Sequence, residues 1–152
     1  MSKNENVDEK VIENKKISIE SLLAKVEETK SDSVGEKNIE IKIDRLEKLL
    51  GEGVVVAKIP NLEIISSALI TDKKDVKGSF RYGGMNFNVN KLVYNCLIEP
   101  DLSSKELRKA FGVKKNIDVF TMIFKDSEVT SMMKILMEKY GSGVTAIEKA
   151  KN

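Results

Sequence analysis

The sequence predicts a mainly α domain with a small antiparallel β-hairpin, an α+β arrangement whose C-terminal half is helical. Three observations lead there. Ile39, Ile41 and Ile43 alternate with Glu40 and Lys42, the period-2 pattern of a half-buried strand. Val54-Val55-Val56-Ala57-Lys58-Ile59 is mostly β-branched and stops at Pro60, which reads as a second strand. From Val89 to Tyr140 the apolar residues recur at helical spacing, with start and stop signals at nearly every join. An isolated pair of strands is marginal in water, so helices must pack on it.

Composition bounds the answer further. A chain of 152 residues with 41% hydrophobic side chains can bury one core. Trp is absent and aromatic residues make up 5%, so that core rests on Ile, Leu, Val and Met. Twenty-six basic against twenty-four acidic residues give +2, too balanced to ask for a nucleic-acid partner. No apolar run approaches the roughly 20 residues that span a bilayer, so no membrane partner is expected. The N-terminus lacks the apolar stretch of a secretory signal. Cys96 is the single cysteine, which excludes an intrachain disulfide and suits a reducing compartment. A cytoplasmic location is the expectation.

Along the chain, residues 1–38 form a polar N-terminal arm, followed by a single domain over 39–152. Residues 1–16 carry too few apolar groups to offset their ordering entropy and read as disordered when alone. Ser18 opens a short amphipathic helix in which Ile19, Leu22, Leu23 and Val26 share a face, and residues 31–38 read as a linker. After the first strand, Leu46, Leu49 and Leu50 suit one helical stretch stopped by Gly51 and Gly53. Asn61 caps a helix carrying Leu62, Ile65, Ala68 and Leu69. Residues 72–88, polar and Gly-containing, read as a loop or a short irregular hairpin.

The second half is read from its stripes and punctuation. Val89, Leu92, Val93, Cys96 and Leu97 line one helical face that ends before Pro100. Ser103 and Glu106 have capping-box spacing, and Gly112 closes the helix they open. Asn116 and Ser127 are candidate caps for the next two helices, the second ending at Gly141. A last helical turn is expected in residues 145–152.

The residue inventory points away from chemistry. With no His, His-assisted nucleophilic catalysis and His-containing metal sites are excluded, and one Cys removes thiolate zinc clusters. No cofactor, metal site or enzymatic activity is expected. Cys96 sits in an apolar stripe and reads as a buried structural thiol. Glu99 and Asp101 around Pro100, and Asp72 with Asp75, lack a partner base or an EF-hand pattern and read as turn residues. Gly83-Gly84 lacks the flanking pattern of a phosphate loop. Lys73, Lys74, Lys77 and Arg81, interleaved with Phe80 and Tyr82, are the best single-strand nucleic-acid candidate; the intervening acids favour a solvated loop.

Val129, Met132, Met133, Leu136, Met137 and Tyr140 fall on one helical face, with Met122 shortly before. Such a stripe is ordinarily core. Its three methionines also suit a surface that accepts varied apolar partners. This stripe, together with Leu22, Leu23 and Val26 of the arm, is the sequence's candidate for partner binding or self-association.

The order of segments resembles the XkdN-like phage tail assembly chaperones. Ile41-Lys42-Ile43-Asp44-Arg45-Leu46 with Gly51 comes first, then Glu99-Pro100-Asp101-Leu102. Ser104-Lys105-Glu106-Leu107 and Phe111-Gly112-Val113 follow, then a helix from Glu128 to Gly141. The likeness covers roughly residues 39–152. It departs from the pattern where Lys115-Asn116 replaces a Pro, and in the length of the 1–38 arm. The resemblance implies a non-enzymatic protein of a contractile-tailed phage or a tail-like bacteriocin. Such a protein binds the tape measure protein during tail assembly in the bacterial host cytoplasm and is absent from the mature particle. Two other readings compete: a structural component retained in the tail, and a small helical DNA-binding regulator using residues 103–124.

Overall fold

A computed structural model of the chain describes residues 14–34, 37–70, 79–82 and 84–147. The chain divides into two units, residues 1–35 and 36–152. In the first, helices α1 (Ile19–Ala24) and α2 (Val26–Val34) are separated at Lys25. Ser18 caps α1 as its sequence predicts, its Oγ accepting from the Ser21 amide at 3.2 Å. The linker expected from residue 31 begins later, because α2 continues through Ser31-Asp32-Ser33-Val34. Ser and Asp are only weak helix breakers, and the first strong one is Gly35. The disorder expected of residues 1–16 falls mostly outside the described residues; residues 14–18 have no helix or strand.

The second unit starts with strand β1 (Asn38–Lys42), helix α3 (Asp44–Leu50) and strand β2 (Val54–Lys58). Gly51 ends α3 at φ +79°, the left-handed region that glycine enters without penalty. Gly53 is required for a different reason. A Cβ there would lie 2.6 Å from Glu47 Cβ, so only a bare backbone lets β2 leave past the helix. Helix α4 (Leu62–Ala68) follows, capped by Asn61 Oδ1 accepting from the Ile64 amide at 2.9 Å. Strands β3 (Ser79–Tyr82) and β4 (Met85–Asn88) pair as a hairpin, with Phe80 opposite Phe87. The alternative left open for residues 72–88 thus resolves to a hairpin over 79–88; residues 71–78 and 83 lie outside the described set.

Helix α5 (Val89–Cys96) runs directly into strand β5 (Leu97–Glu99). Helices α6 (Lys105–Phe111), α7 (Asn116–Ile123) and α8 (Asp126–Tyr140) complete the unit. The main sheet is therefore three-stranded and antiparallel, in the order β1-β2-β5. The predicted pair appears in register, with Ile41 opposite Val55, and β5 adds to the free edge of β2. Leu97 begins that strand instead of ending the α5 stripe. The fold class stands as mainly α with a small antiparallel sheet.

Packing follows from the apolar faces. Val89, Leu92, Val93 and Cys96 of α5 are buried, as are Val129, Met132, Met133, Leu136 and Met137 of α8 and Val119 and Phe120 of α7. They join Ile41, Ile43, Leu46, Val55 and Ala57 from the sheet and α3 in one core. Phe120 meets Tyr94 edge-on, with ring centroids 5.9 Å apart, and lies 4.8 Å from Phe124. Among the described residues no polar or charged side chain is buried, so the core is held by apolar contact alone.

Three capping expectations are corrected. Ser104, not Ser103, caps α6, its Oγ accepting from the Leu107 amide at 3.3 Å. Ser103 is taken by Asp101, whose Oδ1 accepts from its hydroxyl at 2.6 Å and its amide at 3.0 Å. Asn116 lies inside α7 and accepts a hydrogen bond from the Arg108 guanidinium. Ser127 is also inside its helix; the α8 N-terminus is held by Glu128 Oε1 accepting from the Lys125 amide at 2.9 Å. The last helical turn expected in 145–152 is not formed at Thr145–Ile147, and residues 148–152 lie outside the described set.

Candidate functional site: an apolar hollow

Leu46, Leu49 and Leu50 occupy i, i+3 and i+4 of α3 and therefore share a face. Leu46 is buried, yet Leu49 is 68% and Leu50 63% exposed. The difference arises because the end of α3 overhangs a hollow of about 540 Å³. Its floor is Leu46, Val55, Leu102 and Phe124, all buried. Its walls are the half-buried Leu107, Phe111 and Ile123, and its rim adds Val54 and Met122, the latter 58% exposed. Helices α3, α6 and α7, strand β2 and the turn after β5 each contribute. The volume falls within the roughly 300–1,000 Å³ typical of sites that take a small ligand or a few side chains. With this lining, what the hollow can do is bury apolar surface.

One ion pair sets the hollow's edge. Arg45 Nε and Nη2 donate to the two Glu128 carboxylate oxygens at 2.9 and 2.8 Å, and Nη2 also donates to the Ile123 carbonyl at 2.6 Å. This fork ties α3 to the end of α7 and the start of α8. The guanidinium beside Glu128 holds its carboxyl below the usual glutamate range. Glu52 and Glu99 also line the hollow, and neither is in an ion pair among the described residues. A second hollow, about 310 Å³, shares Arg45 and lies between β1 and the first half of α8.

The residues singled out from sequence fare differently. Leu22, Leu23 and Val26 are exposed on the arm, Leu23 at 71%. Val129, Met132, Met133, Leu136 and Met137 are buried in the core, the ordinary reading of such a stripe, so in this structure they are not exposed for a partner. The cause is geometric: α5 packs directly on that face of α8, leaving only Tyr140, at the helix end, exposed. Cys96 is buried, and burial pushes its thiol up to about 11. Asp101 serves the turn through Ser103, and that bond lowers its carboxyl. Of the basic and aromatic candidates around the hairpin, Lys73, Lys74 and Lys77 lie outside the described residues. In the 103–124 segment, Arg108 is engaged by Asn116 and the Ser103 carbonyl, and Val119 and Phe120 face inward.

Sequence reasoning missed the hollow, although two signals were present. A seven-residue helix ending Leu-Leu-Gly cannot easily bury both leucines, and the apolar residues of α7 (Ile117, Val119, Phe120, Met122 and Ile123) spread around most of the helix and not along one narrow stripe. Among the described residues no group of three or more His, Cys, Asp or Glu could hold a metal ion, and no helix is long and apolar enough to cross a membrane. Comparison with protein-family models, curated proteins and solved structures finds no match for the chain.

Proposed function

We propose that this chain is a tail assembly chaperone that binds the tape measure protein during assembly of a phage or tail-like particle and leaves before the particle is complete. It would act in the bacterial host cytoplasm, without cofactor and without catalysing a reaction. One observation carries the reading. Residues from several of the segments behind the resemblance, far apart in sequence, line a single apolar hollow. Arg45-Leu46, Glu99-Pro100 with Leu102, and Leu107 with Phe111 all line it, and Glu128 holds Arg45 in place. A protein that shields an aggregation-prone client must present apolar surface and stay soluble; a charged fraction of 33% favours the second. The exposed leucines of the arm offer additional apolar surface.

The test is co-expression with the tape measure protein of the same source, followed by affinity capture and mass spectrometry of finished particles. The expected result is a soluble complex, a tape measure protein that aggregates when expressed alone, and no copy of this chain in particles. Absence of a complex, with the chain present in particles, would move the assignment to a retained structural component.

A further inference from the structure

We infer that the hollow between α3, α6 and α7 receives an amphipathic helical segment whose polar flanks carry Lys or Arg. The inference rests on the chaperone reading only in naming the tape measure protein as the source of that segment. Three walls of the hollow are helices, and helix surfaces pack by setting ridges of side chains into grooves of a neighbour. The exposed Leu49, Leu50 and Met122 rim a floor that is already closed, so an incoming helix would place anchors at i, i+3 or i+4, and i+7 across it.

The ionisable groups of the lining are Arg45, Glu52 and Glu99. Arg45 is the single cation among them, and Glu128 neutralises it through both carboxylate oxygens. Glu52 and Glu99 make no ion pair among the described residues, so the lining offers two carboxylates without an ion-pair partner there, beside its apolar floor. The chain as a whole is at +2, so this negative character belongs to the site and not to the molecule at large. An apolar segment flanked by acids would meet like charge at both positions; one flanked by Lys or Arg would find partners.

The experiment uses the full chain and two fluorescent helical peptides of about 15 residues, identical in their leucines, one with Lys and the other with Glu at the polar positions. Anisotropy titration at low salt should show the lysine peptide binding at least about tenfold tighter. The double substitution Glu52→Lys with Glu99→Lys should abolish or reverse that preference. Leu50→Asp should weaken both peptides, and Met122→Asp, on a different element, should do the same if Leu50→Asp disturbs α3. Equal binding of both peptides, or a preference unchanged in the double variant, would overturn the inference. So would sedimentation showing a dimer that Leu50→Asp dissociates while neither peptide binds, because the occupant would then be a second copy. The two proposals fail separately. Tape measure protein captured equally by wild type and the double variant refutes only the charge preference. Selective lysine-peptide binding without tape measure capture refutes only the chaperone assignment.

Discussion

At the scale of single residues, burial separates side chains that the sequence makes look alike. Met133 and Leu49 both sit on apolar helical faces, but Met133 is fully enclosed and Leu49 overhangs the hollow. Met133→Ala should therefore cost about 2–5 kcal/mol in urea denaturation, the range for emptying a core position. Leu49→Ala should change stability by no more than about 0.5 kcal/mol. Cys96 offers a second check. Burial between α5 and its neighbours raises the thiol to about 11, so a thiol reagent at pH 8 should react with it only after denaturant is added. Buried character at Cys96 was legible from its stripe, as were the caps at Ser18 and Asn61. The caps at Ser103, Asn116 and Ser127 were not. Which of two adjacent polar residues caps a helix depends on competing local bonds, and Asp101 claims Ser103 before α6 can use it.

Among elements, the Arg45–Glu128 fork joins pieces that lie 83 residues apart. Glu128 serves α8 twice, as an anion at a helix N-terminus and as the acceptor for the Lys125 amide. Its carboxyl is depressed in the folded state, so the stability it contributes is present above the unfolded glutamate value of about 4.3 and is lost as pH falls through the lower, folded value. Glu128→Gln should lower Tm by roughly 2–4 °C at pH 7. The gap from wild type should shrink as the pH drops below about 4.3 and close once wild-type Glu128 is itself protonated. A gap that stays constant with pH would show that the ionised form contributes nothing. Strands β1 and β2 were legible because alternation and β-branching mark them. Strand β5 was hidden: three residues continuing an apolar helical stripe carry no period of their own, and only pairing with β2 makes them a strand.

For the molecule as a whole, the fold class could be read from periodicity, but the hollow could not. It exists only because α3, β2, the turn after β5, α6 and α7 converge, and no local pattern records such a meeting. The methionine stripe shows the converse: a motif suggestive of recognition is spent on the interior once α5 covers it. That central placement of α5 has a further consequence. Its eight residues contact α4, α7, α8 and β4, so no single neighbour can peel away and leave its backbone open to water. The amides of Val93 to Cys96 should therefore show the slowest hydrogen–deuterium exchange in the chain, at rates set by global unfolding. The amides at the end of α3, under the exposed Leu49 and Leu50, should exchange through far smaller openings.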